Sequence, residues 1–190
     1  MKLELLPGDE FVTRNPMALG SVINIVQTIK SVDNQSAYTH AGIITASDGT
    51  TLEALWTVKK QDLFRDYGGQ QMLIVRNIHM SKDVFAAGYE KIKGHIGQWY
   101  PFHRLLLHMV GLAKFVHWSR LVCSELTAKF EAGCAEFLGD NNYGFLRAWY
   151  GVNPDNLADR WRDSKHYEVL FEGDLNAEHS GVDPREAGNG

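Results

Sequence analysis

Residues 38–56, YTHAGIITASDGTTLEALW, contain the pattern from which the fold is predicted. Two runs rich in β-branched and other apolar residues, 38–45 and 50–56, flank the turn sequence Ser47-Asp48-Gly49. Asp-Gly between two such runs is typical of a β-hairpin. The sheet of this protein is therefore predicted to contain these two strands as neighbours.

Further strands and helices are predicted on both sides of the hairpin. Cap residues locate the helix starts, since Asn15 precedes Pro16, Asn153 precedes Pro154, and Ser81 precedes another helical pattern. The predicted strands are 9–13, 71–78 and 167–171, and the predicted helices are 17–30, 81–94, 100–118, 122–138 and a short one from residue 154. Strands that come mostly before helices predict an α+β fold with a central antiparallel sheet packed against helices.

The composition indicates one folded domain. The chain has 190 residues, 44% of them hydrophobic, which is enough to bury a substantial core. Its formal net charge of −4 lies in residues 172–190, which contain five acids and one base, so residues 1–171 are formally neutral. We therefore predict a domain at 1–171 followed by an acidic, glycine-rich, disordered tail at 172–190, and no nucleic-acid partner.

One cysteine lies where it could take part in chemistry. Cys123 opens the predicted helix at 122–138, where the first backbone N–H groups and the positive end of the helix dipole favour a thiolate. The same N–H groups could stabilise an oxyanion. The alternative is a structural role, because free cysteines are usually small buried hydrophobes. Cys134 fits that alternative and lies ~16 Å further along the helix, too far for a disulfide with Cys123.

Two polar residues interrupt the hairpin. Alternation along the first strand places Tyr38, His40 and Gly42 on one face, and Gly42 would let another group approach the sheet beside His40. Pairing across the turn places Glu53 opposite Ile44, on the face of His40 but ~13 Å away along the strand, a gap that a longer loop would reduce. The alternative for His40 is a structural role. The carboxylate of Glu53, by contrast, needs a hydrogen-bond or charge partner, because it lies in an apolar strand.

The order of these motifs resembles that of a known family. Thr39-His40-Ala41-Gly42-Ile43-Ile44, an acid about a dozen residues later and the helix-opening Val122-Cys123-Ser124-Glu125-Leu126 resemble the circularly permuted NlpC-like hydrolases of the YiiX type. These are papain-fold cysteine enzymes related to lecithin–retinol acyltransferase, and their histidine strand precedes the nucleophile. Lesser matches within residues 7–171 are Pro7-Gly8-Asp9-Glu10, Tyr100-Pro101-Phe102 and Asn153-Pro154-Asp155.

The resemblance implies a papain-like fold and roles for individual residues. Cys123 would be the nucleophile, His40 its general base and Glu53 the group that orients the imidazole. The backbone N–H of Cys123 would stabilise the oxyanion. The further candidates for oxyanion support or substrate binding are Tyr38, Asp9, Tyr100 and Trp118.

The expected activity is hydrolysis or acyl transfer at an amide or ester bond, through an acyl-thioester. The expected substrates are small peptides, glycopeptides or acyl lipids, and the alternative is a non-catalytic binding or virion-structural module on the same fold. No cofactor or metal is expected, because the eight histidines show no ligand spacing such as HExxH. No apolar run reaches the ~20 residues of a membrane span, and no signal peptide is recognised. A cytoplasmic location is therefore expected, with a phage-encoded or otherwise exported protein as the alternative; the oligomeric state is left open.

Overall fold

A computed structural model of the chain describes residues 2–14, 38–99, 122–139, 152–176 and 179. The predicted helices at 17–30 and 100–118 lie outside these residues. In chain order the elements of the described part are β1 (Glu10–Thr13), β2 (His40–Ile44), β3 (Thr50–Ala54), β4 (Val58–Asp62), α1 (Leu63–Tyr67), β5 (Gln71–Asn77), α2 (Lys82–Lys93), α3 (Cys123–Leu138), α4 (Pro154–Asp163) and β6 (Tyr167–Asp174).

The six strands form one antiparallel sheet in the order β4-β3-β2-β1-β5-β6. The prediction of an α+β fold with a central antiparallel sheet is confirmed. Strand β6 pairs with β5 along its whole length, from Tyr167 opposite Asn77 to Asp174 opposite Gln71. The sheet therefore continues beyond residue 171, where the sequence placed the end of the domain, and Leu175 is still fully buried.

The helices cover the sheet with apolar side chains. Leu126 and Phe130 of α3 are fully buried and share one core cluster with Ile43 of β2 and Leu52 of β3. Helix α2 packs closely on α3 at Gly88, where a Cβ atom would lie 2.6 Å from the sulfur of Cys134. Among the described residues, none of the helices combines the length and the hydrophobicity that crossing a membrane requires.

The hairpin forms as predicted, but its register differs from the prediction. Glu53 lies opposite Gly42, whereas the sequence reading placed it opposite Ile44, which in fact pairs with Thr51. The predicted register is wrong because the connection is longer than a two-residue turn: β2 ends at Ile44 and β3 begins only at Thr50. The longer loop shifts Glu53 towards His40 along the sheet.

Two elements of the fold were not predicted. Strand β4, with the sequence VKKQD, forms the outer edge beyond β3, and Lys59 and Lys60 are exposed. Helix α1 follows at once, and the side chain of Asp62 caps it by accepting hydrogen bonds from the backbone N–H groups of Phe64 and Arg65, at 3.1 and 3.0 Å. The helix is only five residues long, and it ends at the buried Tyr67.

Candidate active site

Cys123 is the first residue of α3, as the sequence predicted. The preceding Val122 is extended, and its backbone N–H donates to the Glu125 side chain at 3.3 Å. The first backbone hydrogen bond of the helix runs from the N–H of Leu126 to the carbonyl of Val122, at 2.9 Å. The N–H of Cys123 therefore lies before the hydrogen-bonded ladder, at the positive end of the helix dipole. The side chain of Cys123 is only 4% exposed.

His40 and Glu53 lie in direct contact. The Nε2 atom of His40 is 2.7 Å from Oε2 of Glu53, and both side chains are buried. Gly42, which faces Glu53 across the strand pair, makes this contact possible. A Cβ atom there would come within 2.7 Å of the Phe11 ring and 2.8 Å of Cγ of Glu53. The open space that the sequence predicted beside His40 is therefore filled by Phe11 and by Glu53 itself.

The carboxylate of Glu53 has a hydrogen-bond donor on each oxygen besides the one from His40. The hydroxyl of Thr51 donates to Oε1, and the hydroxyl of Tyr67 donates to Oε2. Burial and the neighbouring Glu53 charge raise the pKa of Tyr67 far above its usual value, so that its hydroxyl keeps the donated proton. A fully buried carboxylate is costly unless it accepts hydrogen bonds, and here three groups supply them.

Thr51 and Tyr67 were not singled out from the sequence. Thr51 lies two residues before Glu53, so strand alternation could have placed both on one face. Tyr67 could not be found in this way, because it belongs to the short helix α1, which was not predicted. Its ring stacks on the imidazole of His40, with 5.9 Å between centroids and 17° between planes.

The imidazole of His40 connects Glu53 to Cys123. Burial alone would lower the pKa of His40, but a hydrogen bond and charge interaction with Cys123, and then those with Glu53, raise it to about 10. Because Nε2 faces Glu53, Nδ1 is the ring nitrogen left for the thiol. The three side chains can thus hold an imidazolium between a thiolate and a carboxylate, an arrangement that activates a nucleophile.

Asp9 does not lie at this site. Strand β1 pairs with β2 so that Thr13 is opposite His40, and Asp9 is four residues away, about 13 Å along the strand. Its carboxylate is buried and accepts two hydrogen bonds from the guanidinium of Arg76, at 2.7 and 2.8 Å. Asp9 therefore holds β1 to β5 and does not lie beside His40, and its support of the oxyanion hole stays a prediction.

Tyr38 is also engaged elsewhere. It precedes β2, so strand alternation does not extend to it, and its side chain packs in a core cluster with Ala41 and Trp161. Its hydroxyl lies 3.1 Å from a guanidinium nitrogen of Arg162 and 3.5 Å from the carboxylate of Glu172. The structure thus engages the Tyr38 hydroxyl with Arg162 and Glu172, and its part in oxyanion support or substrate binding stays a prediction. The other two predicted substrate-binding residues, Tyr100 and Trp118, lie outside the described residues.

Cys134 has a different environment on the same helix. It is fully buried, and its thiol donates to the carbonyl of Val84 at 3.6 Å. Burial, followed by the charges of Glu10 and Glu131, raises the pKa of Cys134 strongly. A thiol in these surroundings stays protonated, as the sequence reading expected for a structural cysteine.

Comparison with known proteins shows a relationship in fold. No family model matches the chain, and no curated protein matches it. Among solved structures, the metalloprotein YiiX from Escherichia coli O157:H7 superposes with a TM-score of 0.52 and 18% sequence identity, over 95% of this chain and 94% of the YiiX chain. The chain has a YiiX-like fold. The resemblance seen in the motifs is confirmed at this level, whereas the papain-like relationship and the cysteine chemistry stay predictions.

YiiX is a metalloprotein, and a metal centre in this chain would need a group of ligating side chains. In the part of this chain that the structure describes, no group of three or more His, Cys, Asp or Glu side chains is placed to hold a metal ion. Both oxygens of Glu53 are already hydrogen-bonded to protein donors. These described residues do not fit a metal centre.

Proposed function

We propose that the chain is a thiol hydrolase or acyltransferase of the circularly permuted, papain-like type, acting on an amide or ester bond through Cys123. One observation carries the proposal: Nε2 of His40 lies 2.7 Å from the buried carboxylate of Glu53, and Cys123, at a helix N-terminus, is near enough to the same imidazole to raise its pKa. The YiiX-like fold supports it, because the motifs that place Cys123 after His40 in the chain resemble that family.

The first half of the reaction forms an acyl-enzyme. The thiol proton passes to Nδ1 of His40, and the thiolate attacks the carbonyl carbon of the substrate. The oxyanion that develops accepts a hydrogen bond from the backbone N–H of Cys123, at the positive end of α3. The imidazolium then gives its proton to the leaving amine or alkoxide as the C–N or C–O bond breaks, which leaves an acyl-thioester on Cys123.

The second half releases the acyl group. A water molecule, or another acceptor with an O–H or N–H group, attacks the thioester while Nδ1 of His40 takes its proton. The proton returns to the Cys123 sulfur as the C–S bond breaks, which restores the starting state. Throughout, Glu53 accepts the hydrogen bond from Nε2, which holds the ring in place and stabilises its charged form.

The substrate class follows from this chemistry and from charge. A peptide, glycopeptide or acyl lipid offers the required amide or ester, and the formal neutrality of residues 1–171 provides no excess charge to attract a polyanion. The two bond types are separable by product: an amidase releases a new amine end from a peptide or muropeptide, whereas an enzyme directed at lipids forms an acyl-enzyme from a labelled fatty ester.

A second candidate function is a non-catalytic binding or virion-structural module on the same fold. The observation in its favour is the burial of Cys123, which is only 4% exposed. Such a module needs no access to the thiol. It predicts that Cys123 does not react in the folded protein and reacts only after unfolding.

The deciding experiment is alkylation by iodoacetamide at pH 6, with each cysteine followed by mass spectrometry. An ordinary thiol, with a pKa of about 8.5, is less than about 1% thiolate at this pH. We expect Cys123 to react about 100-fold faster than glutathione, and His40→Ala to reduce that rate to the glutathione level. Cys134 should remain unmodified. If Cys123 reacts only in urea, the nucleophile assignment is wrong and the binding module is favoured.

A further inference from the structure

We infer that Tyr67 and Thr51 are positioning residues, which keep Glu53 ionised and oriented so that His40 retains its proton. The inference rests on the proposed function and extends it to two residues that the sequence motifs do not include. It depends on three features of the site: the atoms to which the two hydroxyl groups donate, the restriction that the Tyr67 ring places on the His40 imidazole, and the elements that hold both residues.

The hydroxyl groups stabilise the ionised form of Glu53. Thr51 donates to Oε1, while Tyr67 and Nε2 of His40 both approach Oε2. An ionised carboxylate accepts at both oxygens, whereas a protonated carboxyl must donate from one of them. The ionised carboxylate receives charge-assisted hydrogen bonds from all three groups, whereas a protonated carboxyl would replace at least one of them with a weaker neutral hydrogen bond, so the surroundings favour the charged form.

The side chain of Tyr67 also restricts the imidazole. Its ring lies nearly parallel to that of His40, and the Phe11 ring approaches His40 edge-on, with centroids 6.3 Å apart and planes at 62°. Tyr67 is 3% exposed and Phe11 is fully buried. The two rings leave little room for His40 to rotate, which keeps Nε2 directed at Glu53 and leaves Nδ1 as the ring nitrogen available to Cys123.

Regular structure holds both donors in place. Thr51 and Glu53 alternate on β3, which is paired on both sides by β2 and β4. Tyr67 ends α1, whose start is fixed by the Asp62 cap and by the direct connection to β4. The otherwise unexplained edge strand and short helix thus have a consequence for the site, because they bring the Tyr67 hydroxyl over Glu53.

The experiment removes each hydroxyl while keeping the shape of the side chain. Tyr67→Phe retains the stacked ring, Thr51→Val retains the branched side chain, and Thr51→Ser retains the donor as the conservative variant. Tyr89→Phe is the matched control, because Tyr89 stacks on Phe85 of α2. For each variant the ionisation of the His40 ring is followed by nitrogen NMR, and Cys123 alkylation is measured across pH.

The expected result is a shift in the titration of His40. Without one donor, Glu53 is a poorer partner for the imidazolium, so Tyr67→Phe should lower the pH at which His40 deprotonates by roughly one unit, a tenfold change in the equilibrium. Thr51→Val should act in the same direction. The alkaline inflection of the alkylation profile should move by the same amount, while Thr51→Ser and Tyr89→Phe should retain the wild-type values.

The outcomes separate this inference from the proposed function. If folded Tyr67→Phe and Thr51→Val proteins both titrate like wild type, the positioning role is wrong even though Cys123 is reactive. If Cys123 is unreactive in the wild-type protein, the proposed function fails, yet the NMR titration still decides whether the hydroxyls control the charge on His40. Should Tyr67→Phe not fold, the Thr51→Val and Thr51→Ser pair gives the decision.

Discussion

Helix α3 contributes a cysteine to each of two buried polar clusters, and the clusters differ in how they accommodate acid groups. The N-terminal cluster contains Cys123, His40, Glu53, Tyr67 and Thr51. The middle cluster contains Cys134 and Glu131 of the same helix, with the following residues from other elements: Glu10, Trp161 and Tyr167. Glutamates in both clusters are no more than 1% exposed, so burial is equal and the neighbouring groups make the difference.

The middle cluster lacks donors where the N-terminal cluster has them. Glu131 accepts at Oε1 from Trp161 and Tyr167, at 2.6 and 2.8 Å. In the described part of the chain, neither oxygen of Glu10 nor Oε2 of Glu131 has a hydrogen-bond donor. The two carboxyl groups neighbour each other, and a hydrogen bond between them exists only when a proton lies between them.

The raised pKa values of Glu10 and Glu131 are consistent with this lack of hydrogen-bond donors. Burial, followed by the charges of Glu131 and Asp9, raises the pKa of Glu10 well above its usual value. Burial also raises the pKa of Glu131, although the bonds from Trp161 and Tyr167 and the charge of Arg160 act against the rise. Buried acids can thus be accommodated in two ways: donors and an imidazolium stabilise an ionised group, whereas retained protons neutralise the other pair.

Among the substitutions that test the difference between the two clusters, Glu53→Gln is expected to have the largest effect. Removing the charge beside Nε2 should lower the pH at which His40 deprotonates by about two units, a 100-fold change, because a neighbouring opposite charge supports the imidazolium. The alkaline inflection of Cys123 alkylation should fall by the same amount. Nitrogen NMR of the ring and the alkylation profile measure the two values independently.

Glu10→Gln is the matched control, since it makes the same chemical change in the middle cluster. It should leave both the His40 titration and Cys123 alkylation at their wild-type values. If the two substitutions change His40 equally, the clusters are not independent and the contrast between them is incorrect. If neither changes it, Glu53 has no electrostatic role.

The N-terminal cluster also shows what the sequence could and could not reveal. His40, Glu53 and Cys123 were recognisable because each interrupts or opens an apolar pattern, and each motif lies within one predicted element. Their distances depend on the register of the hairpin. The turn signal at Asp48-Gly49 predicted a register two residues away from the observed pairing of Glu53 with Gly42, because the connection between the strands is longer than a two-residue turn.

The position of Tyr67 could not be predicted, for a different reason. Tyr67 lies in α1, directly after β4, and neither element has a strong periodic pattern. Strand β4 contains two exposed lysines at the sheet edge, and α1 is only five residues long. Short edge elements are stabilised by tertiary contacts more than by their own propensities. The Glu10–Glu131 contact could not be predicted either, because it joins residues 121 positions apart in sequence.

The second prediction concerns stability and pH. Because the pKa of Glu10 is raised in the folded state, folded protein holds a proton that the unfolded chain releases above about pH 4.5. The free energy of unfolding should therefore fall as pH rises, by about 1.4 kcal/mol per unit for each proton retained. His40, whose pKa is raised to about 10, adds a fall in the same direction, but only above about pH 6.5.

Urea unfolding of wild type and Glu10→Gln at pH 5, 6, 7 and 8 separates these contributions. The amide that this substitution introduces would donate to Glu131 without releasing a proton, so the variant should be more stable at pH 7 by up to about 3 kcal/mol. Its slope below pH 6.5 should be smaller than that of wild type, and the slope that remains comes from Glu131. The other charged groups near the pair, Asp9 and Arg160, and the thiol of Cys134 are present in both proteins. Parallel pH curves for the two proteins would show that Glu10 does not hold the proton.

The smallest effect is expected from Cys134→Ala, which tests whether the two thiols are functionally separate. Cys134 packs against Gly88 at the close contact of α2 and α3, so losing its sulfur should cost about 1 kcal/mol of stability by leaving a small cavity. The rate of Cys123 alkylation and its pH profile should not change, because the hydrogen bonds around Cys123, His40 and Glu53 do not include Cys134. Urea unfolding and alkylation kinetics measure the two consequences. A slower Cys123 in a fully folded variant would mean that packing at the middle of α3 sets the position of the thiol at its N-terminus, and the two clusters would then act as one unit.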